Sequence, residues 1–137
     1  MFEYAIVFHK GNWEKAVIQK EAYNYITPLD ACVFYHQVRD WKGVARLPEE
    51  ASFIQIKPEG LVLTALKKCE SRESLIVRLY NPKTTGAEGT LDFAFDIAQA
   101  WRIQLDETRQ EPLPIKEGHL VSFSCRAKEI ITIEVVF

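Results

Sequence analysis

LVLTALKKCESRESLIVRLYNP, residues 61–82, reads as a strand, a polar turn and a second strand. In the second strand Leu75, Val77 and Leu79 alternate with Ser74, Ile76, Arg78 and Tyr80. Successive strand side chains leave on opposite faces, so the first set is expected to enter a core while the second faces water or another layer. In the first strand Leu61, Leu63 and Ala65 share one face and Val62, Thr64 and Leu66 the other. Apolar residues on both faces predict a central strand, or one covered on both sides. The turn, Lys67 to Glu73, carries Lys67, Lys68, Glu70, Arg72 and Glu73 and is expected to be solvated.

Downstream the pattern repeats. Candidate strands lie near 53–56, 61–67, 74–80, 90–95, 100–105, 120–125 and 130–137. Leu91, Phe93 and Phe95 alternate with Asp92 and Asp96. Trp101, Ile103 and Leu105 alternate with Arg102, Gln104 and Asp106, and Ile131, Ile133, Val135 and Phe137 with Thr132 and Glu134. Turns are signalled at 57–60, Asn81-Pro82, Gly86 to Gly89, Pro112 to Pro114 and Glu117-Gly118. Short strands at this spacing predict an all-β, antiparallel, immunoglobulin-like sandwich.

The first part of the chain differs. Residues 2–8 alternate as a strand would. Asn12 suits a helix N-cap, Trp13 to Tyr25 has one partly apolar face, and Pro28 lies just beyond its expected end. Cys32 to Val38 is β-like, and residues 40–51 look irregular. The reading therefore divides the chain into 1–45 (strand, short helix, strand) and a sandwich at 46–137. The first part has too few elements to stand alone.

At 137 residues, 26% charged and with net charge −2, the chain has no basic excess for nucleic acid or an anionic membrane. No run of about 18 apolar residues is present, and the start lacks the basic region of a signal peptide. Three widely spaced cysteines, Cys32, Cys69 and Cys125, suit reduced thiols and a cytoplasmic protein.

Chemistry is sparse. Cys32 and His36 could share a metal on a helix, but on a strand roughly 13 Å separates them. Ser122 and Ser124 stand near His119 without an orienting carboxylate. Asp92 and Asp96 are again roughly 13 Å apart on one strand, beyond the spacing of a glycosidase acid pair. KTTGAEGT, residues 83–90, lacks the Lys-Ser/Thr of a phosphate loop and reads as a hairpin. Trp41 is expected at an interdomain contact, with a sugar-stacking ring as the alternative. No catalytic or metal-binding residue is expected.

Specific strings go further. FEYAIVFHKGNWEKA followed by EAYNYITPL resembles a segment in the C-terminal half of family 38 glycoside hydrolases, the α-mannosidases. His9, Gly11, Trp13, Ala22, Tyr23, Pro28 and Leu29 match, whereas Phe8 stands where the family often has proline. SFIQIKPEGLVLTALKKCE, then LIVRLYNP, resembles the start of the last β-sandwich of the same enzymes, especially bacterial ones. VSFSCRAKEIITIEVVF is similar to their closing strand pair.

The resemblance implies a non-catalytic C-terminal structural module, with residues 1 to about 30 ending a preceding β-supersandwich. Its parent would be a zinc-dependent, retaining α-mannosidase, cleaving through a covalent glycosyl-enzyme. Zinc ligands and nucleophilic aspartate would lie in an N-terminal α/β domain and the helical bundle after it. No family catalytic residue falls on this sequence, and no cofactor is expected in the chain itself. The expected partners are the parent's catalytic domains. Arg78, Trp41, Trp13 and His9 are the candidate interdomain or cleft-wall contacts, with Arg78 expected to reach a carboxylate across an interface. A stand-alone carbohydrate-binding sandwich and a homo-oligomerisation module are the alternatives.

Overall fold

A computed structural model describes residues 2–27, 30 and 50–137. Among these residues nine strands follow one helix, α1 (Ile18–Ile26): β1 (Ile54–Lys57), β2 (Val62–Lys68), β3 (Leu75–Tyr80), β4 (Ala87–Phe93), β5 (Gln99–Ile103), β6 (Arg109–Pro112), β7 (Ile115–Lys116), β8 (Leu120–Cys125) and β9 (Ile130–Val136). They form two antiparallel sheets, one in the order β1-β4-β8-β7 and the other β2-β3-β9-β5-β6. The inner faces meet in one core. Val77, Leu79, Ile131, Ile133 and Val135 come from the five-stranded sheet, and Leu91, Phe93, Val121 and Phe123 from the four-stranded one. This is a mainly β sandwich, as the strand spacing predicts.

Several details depart from the sequence reading. Among the described residues β2 is an edge strand, not a central one. Its apolar residues on both faces are only partly covered: Leu63 and Leu66 are 39% and 50% exposed, and a register shift falls between Leu63 and Ala65. An irregularity of this kind discourages pairing with a foreign strand. β5 is turned over relative to expectation. Ala100 packs in the main core, whereas Trp101 and Ile103 lie on the opposite face with Ile76 and Cys69. Arg102 points toward the other sheet, where it reaches the Ser124 carbonyl.

β4 begins at Ala87, inside the segment read as a hairpin loop. Gly89 belongs in that strand because the Phe123 ring lies against its Cα; a Cβ there would come within 2.4 Å of Phe123 Cζ. β6 and β7 were hidden by Pro112 and Pro114, which read as turn. Both are edge strands, where proline's missing N–H breaks no ladder.

The N-terminal segment departs most. Residues 2–8 form no strand with any described residue. Phe2, Tyr4, Ile6 and Phe8 are all at least 80% exposed. Alternation alone makes no strand without a neighbour to complete its hydrogen bonds. The helix starts five residues later than expected. Asn12 does accept the Lys15 N–H at 2.9 Å, but it caps a turn over residues 13–17, and Val17 at φ 49° precedes the helix. α1 buries no residue. Glu14 ties this segment to the sandwich by accepting from the Thr84 N–H and hydroxyl, each at 3.0 Å, and Lys20 pairs with Glu59 at 3.3 Å. The expected strand at 32–38, the boundary near 45 and the helix stop at Pro28 lie outside the described residues. No helix among the described residues is long and apolar enough to cross a membrane.

Candidate functional site

The chemically densest region is the outer face of the five-stranded sheet. Along β9, Ile131, Ile133 and Val135 face the core, so Thr132 and Glu134 face outward. Alternation sets both on the face opposite the core, yet both are buried, Glu134 completely. The β2–β3 turn and the segment between β5 and β6 fold over them, so the turn expected to be solvated carries a buried Cys69.

Glu134 sits in a double fork. Arg72 donates through Nε to Oε1 at 2.7 Å and through Nη2 to Oε2 at 3.1 Å. Arg109 donates through Nε to Oε2 at 2.8 Å and through Nη2 to Oε1 at 3.0 Å. The Ser74 hydroxyl adds a donor to Oε1 at 2.6 Å. Bidentate arginine pairs are among the strongest charge-assisted contacts. Burial pushes the carboxyl pKa up, but the donors from Arg109, Arg72 and Ser74 outweigh it and hold it down at about 2. Arg109 also stacks over Trp101, 5.1 Å from the ring centroid. Arg72 reaches on to the Glu107 carbonyl at 2.7 Å, which joins the two covering segments.

Glu107 is the second nearly buried carboxylate. Its Oε2 accepts from the Cys69 thiol at 3.0 Å and the Glu70 N–H at 2.9 Å, and Lys67 lies 2.8 Å from Oε1. Those contacts, the thiol first and then Lys67, lower its pKa to about 2. A general acid needs a raised carboxyl pKa, and a nucleophile or base needs an oxygen open to substrate. Glu107 and Glu134 have neither. The arrangement does mechanical work: it fastens two loops to the central strand. Sequence reading missed it because Glu134 looks like any polar residue alternating with aliphatics. The available signal was a carboxylate inside ITIEVVF facing the row occupied by Ile76 and Trp101.

The other sequence candidates are dispersed. Arg78 lies one row along the same outer face, donating to Thr132 Oγ1 at 3.1 Å and to the Leu105 carbonyl at 3.4 Å. Trp13 is 38% exposed, with the Lys128 ammonium 4.9 Å from its ring centroid, so it contacts the sandwich of its own chain. His9 is exposed and lines a groove of about 710 Å³ with Tyr4, Val7, Ile18 and Tyr25. Trp41, Cys32 and His36 lie outside the described residues. His119 Nε2 stands 3.7 Å from Asp92 Oδ1, and these two share a shallow hollow with Asp96. Among the described residues no three His, Cys, Asp or Glu side chains converge as a metal site would require. Cys69 and Cys125 are buried free thiols, and burial raises the Cys125 pKa.

Comparison with known proteins agrees with the geometry. Residues 60–133, more than half of the chain, match the family described as the glycosyl hydrolases family 38 C-terminal beta sandwich domain. A protein of Halalkalibacterium halodurans named "Putative mannosylglycerate hydrolase" is 28% identical over 131 residues, which is 96% of this chain and 14% of that protein. The chain thus spans about a seventh of the length of the curated relative that it matches. On the strength of the sandwich and of the match across it, the chain belongs to the glycosyl hydrolase family 38 C-terminal β-sandwich domains.

Proposed function

We propose that this chain is a non-catalytic structural module that packs against the catalytic domains of a family 38 glycoside hydrolase. The family match across residues 60–133 carries this reading. The fate of the carboxylates supports it: the two most deeply buried among the described residues, Glu134 and Glu107, are spent on contacts within the sandwich. The substrate of the whole enzyme is proposed to be an α-mannoside, cleaved with retention by zinc-assisted chemistry whose residues lie elsewhere. The mannosylglycerate hydrolase named above suggests mannosylglycerate as one such substrate.

The test is to purify the polypeptide encoded by the continuous reading frame that contains this chain and assay it on aryl α-mannosides and on mannosylglycerate. The expected result is turnover that a chelator abolishes and zinc restores, with the anomeric configuration retained. A continuous frame that encodes no catalytic domain, together with failure to bind one supplied separately, would contradict the reading.

A further inference from the structure

Most charged groups on the outer face of the five-stranded sheet are paired. Arg72 and Arg109 grip Glu134, and Lys67 bridges Glu70 and Glu107. Arg78 is different. It stands mid-sheet in the row Ala65–Arg78–Thr132–Ile103, and among the described residues no carboxylate lies within ion-pair distance of it. Its guanidinium is already oriented, through Nε by the Thr132 hydroxyl and through Nη2 by the Leu105 carbonyl. A fork held in place loses little entropy when it takes a second partner.

Exposed aliphatic side chains stand beside it. Leu105 and Ile130 are 64% and 53% exposed, and both line a shallow hollow of about 240 Å³ with Thr132, Arg102, Gln104 and Gln110. Glu129, the acidic residue at that hollow, faces Arg102 at 3.6 Å. An oriented cation beside exposed aliphatic side chains complements a surface of the opposite kind: an apolar patch bearing one carboxylate.

We infer that the outer face around Arg78, Leu105 and Ile130 is the surface on which a catalytic domain docks, presenting an Asp or Glu to the Arg78 guanidinium. This rests on the accessory reading above and names the surface it uses.

The test places a photo-crosslinking amino acid at Leu105 or Ile130, and as a control at Glu88 on the four-stranded sheet, in the natural full-length polypeptide or complex. Cross-linked peptides are read by mass spectrometry. The expected result is a cross-link from 105 and 130 to a catalytic-domain segment containing Asp or Glu. Its yield should fall about tenfold in Arg78→Ala and recover partly in Arg78→Lys, compared at a temperature where circular dichroism shows both variants folded. Cross-links at Glu88 but none at 105 or 130 would overturn the surface and leave the accessory role standing. Absence of cross-links at all three positions would overturn the surface, and the reading-frame test above then decides the accessory role separately. Cross-links to a second copy, or a yield indifferent to Arg78→Ala, would overturn the assigned partner.

Discussion

Arg109 grips Glu134 with both ends of its fork, Nε to Oε2 at 2.8 Å and Nη2 to Oε1 at 3.0 Å, across 25 residues of sequence. That contact joins edge strand β6 to β9 over the face of intervening β5. With Arg72 on the other side, one carboxylate holds both the β2–β3 turn and the start of β6 against β9. Removing it leaves two guanidinium groups facing each other without a counter-charge. Breaking a buried pair in this way costs about 3–5 kcal/mol, so Glu134→Ala should destabilise the chain by about that amount. Urea unfolding followed by tryptophan fluorescence measures it. A loss below about 1 kcal/mol would show that the clamp contributes little.

The same clamp sets a pH dependence. Glu134 and Glu107 are held at about 2 in the folded chain, against roughly 4.3 for an unfolded glutamate. Groups with a depressed folded pKa contribute stability that is fully present above the unfolded value and is lost as pH falls through the folded one. Stability should therefore hold above about pH 5 and decline steadily toward pH 2. Glu134→Gln and Glu107→Gln should each flatten that slope, as denaturant midpoints across the range will show.

Gly89 is fixed by packing rather than by backbone angle. A methyl group there would meet three atoms of the Phe123 ring, at 2.4, 2.6 and 3.0 Å. Phe123 is buried in the main core and cannot swing into solvent. Gly89→Ala is expected to cost about 1–3 kcal/mol through overpacking. Phe123→Leu in the same chain should cost less than the two single changes added together. Additive costs would mean that the ring is not the obstacle.

The link between Trp13 and Lys128 is weaker. The ring is partly exposed and the ammonium lies 4.9 Å from its centroid, a geometry worth about 0.5–1 kcal/mol. Trp13→Ala should therefore lower the stability of the sandwich by no more than about 1 kcal/mol. It should also raise the proteolytic sensitivity of the bonds around residues 13–17. A larger loss would mean that the N-terminal turn is integral to the core.

What could be read from the chain follows from what alternation encodes. Leu75, Val77 and Leu79 announced β3, and Ile131, Ile133 and Val135 announced β9, because one face of each meets the core. The rule failed where burial has another cause. Glu134 and Thr132 are buried by loops, which a two-residue period cannot register. Trp101 and Ile103 are apolar yet face outward, because those loops supply a second, smaller apolar layer with Ile76 and Cys69. Residues 2–8 alternate cleanly and still form no strand among the described residues, because pairing is a property of the neighbour. The short strands on either side of Leu113 were masked by prolines that an edge tolerates. The outward direction of Arg78 was legible from its strand parity; its lack of an acidic partner among the described residues required side-chain positions.

On the function proposed above, these residues build support and do no chemistry of their own. The most direct measurement is turnover of an aryl α-mannoside and of mannosylglycerate by the purified 137-residue chain, with and without added zinc, beside the full-length polypeptide. No rate above buffer is expected for the chain in either condition. Saturable hydrolysis by the chain alone, surviving further purification, would contradict it.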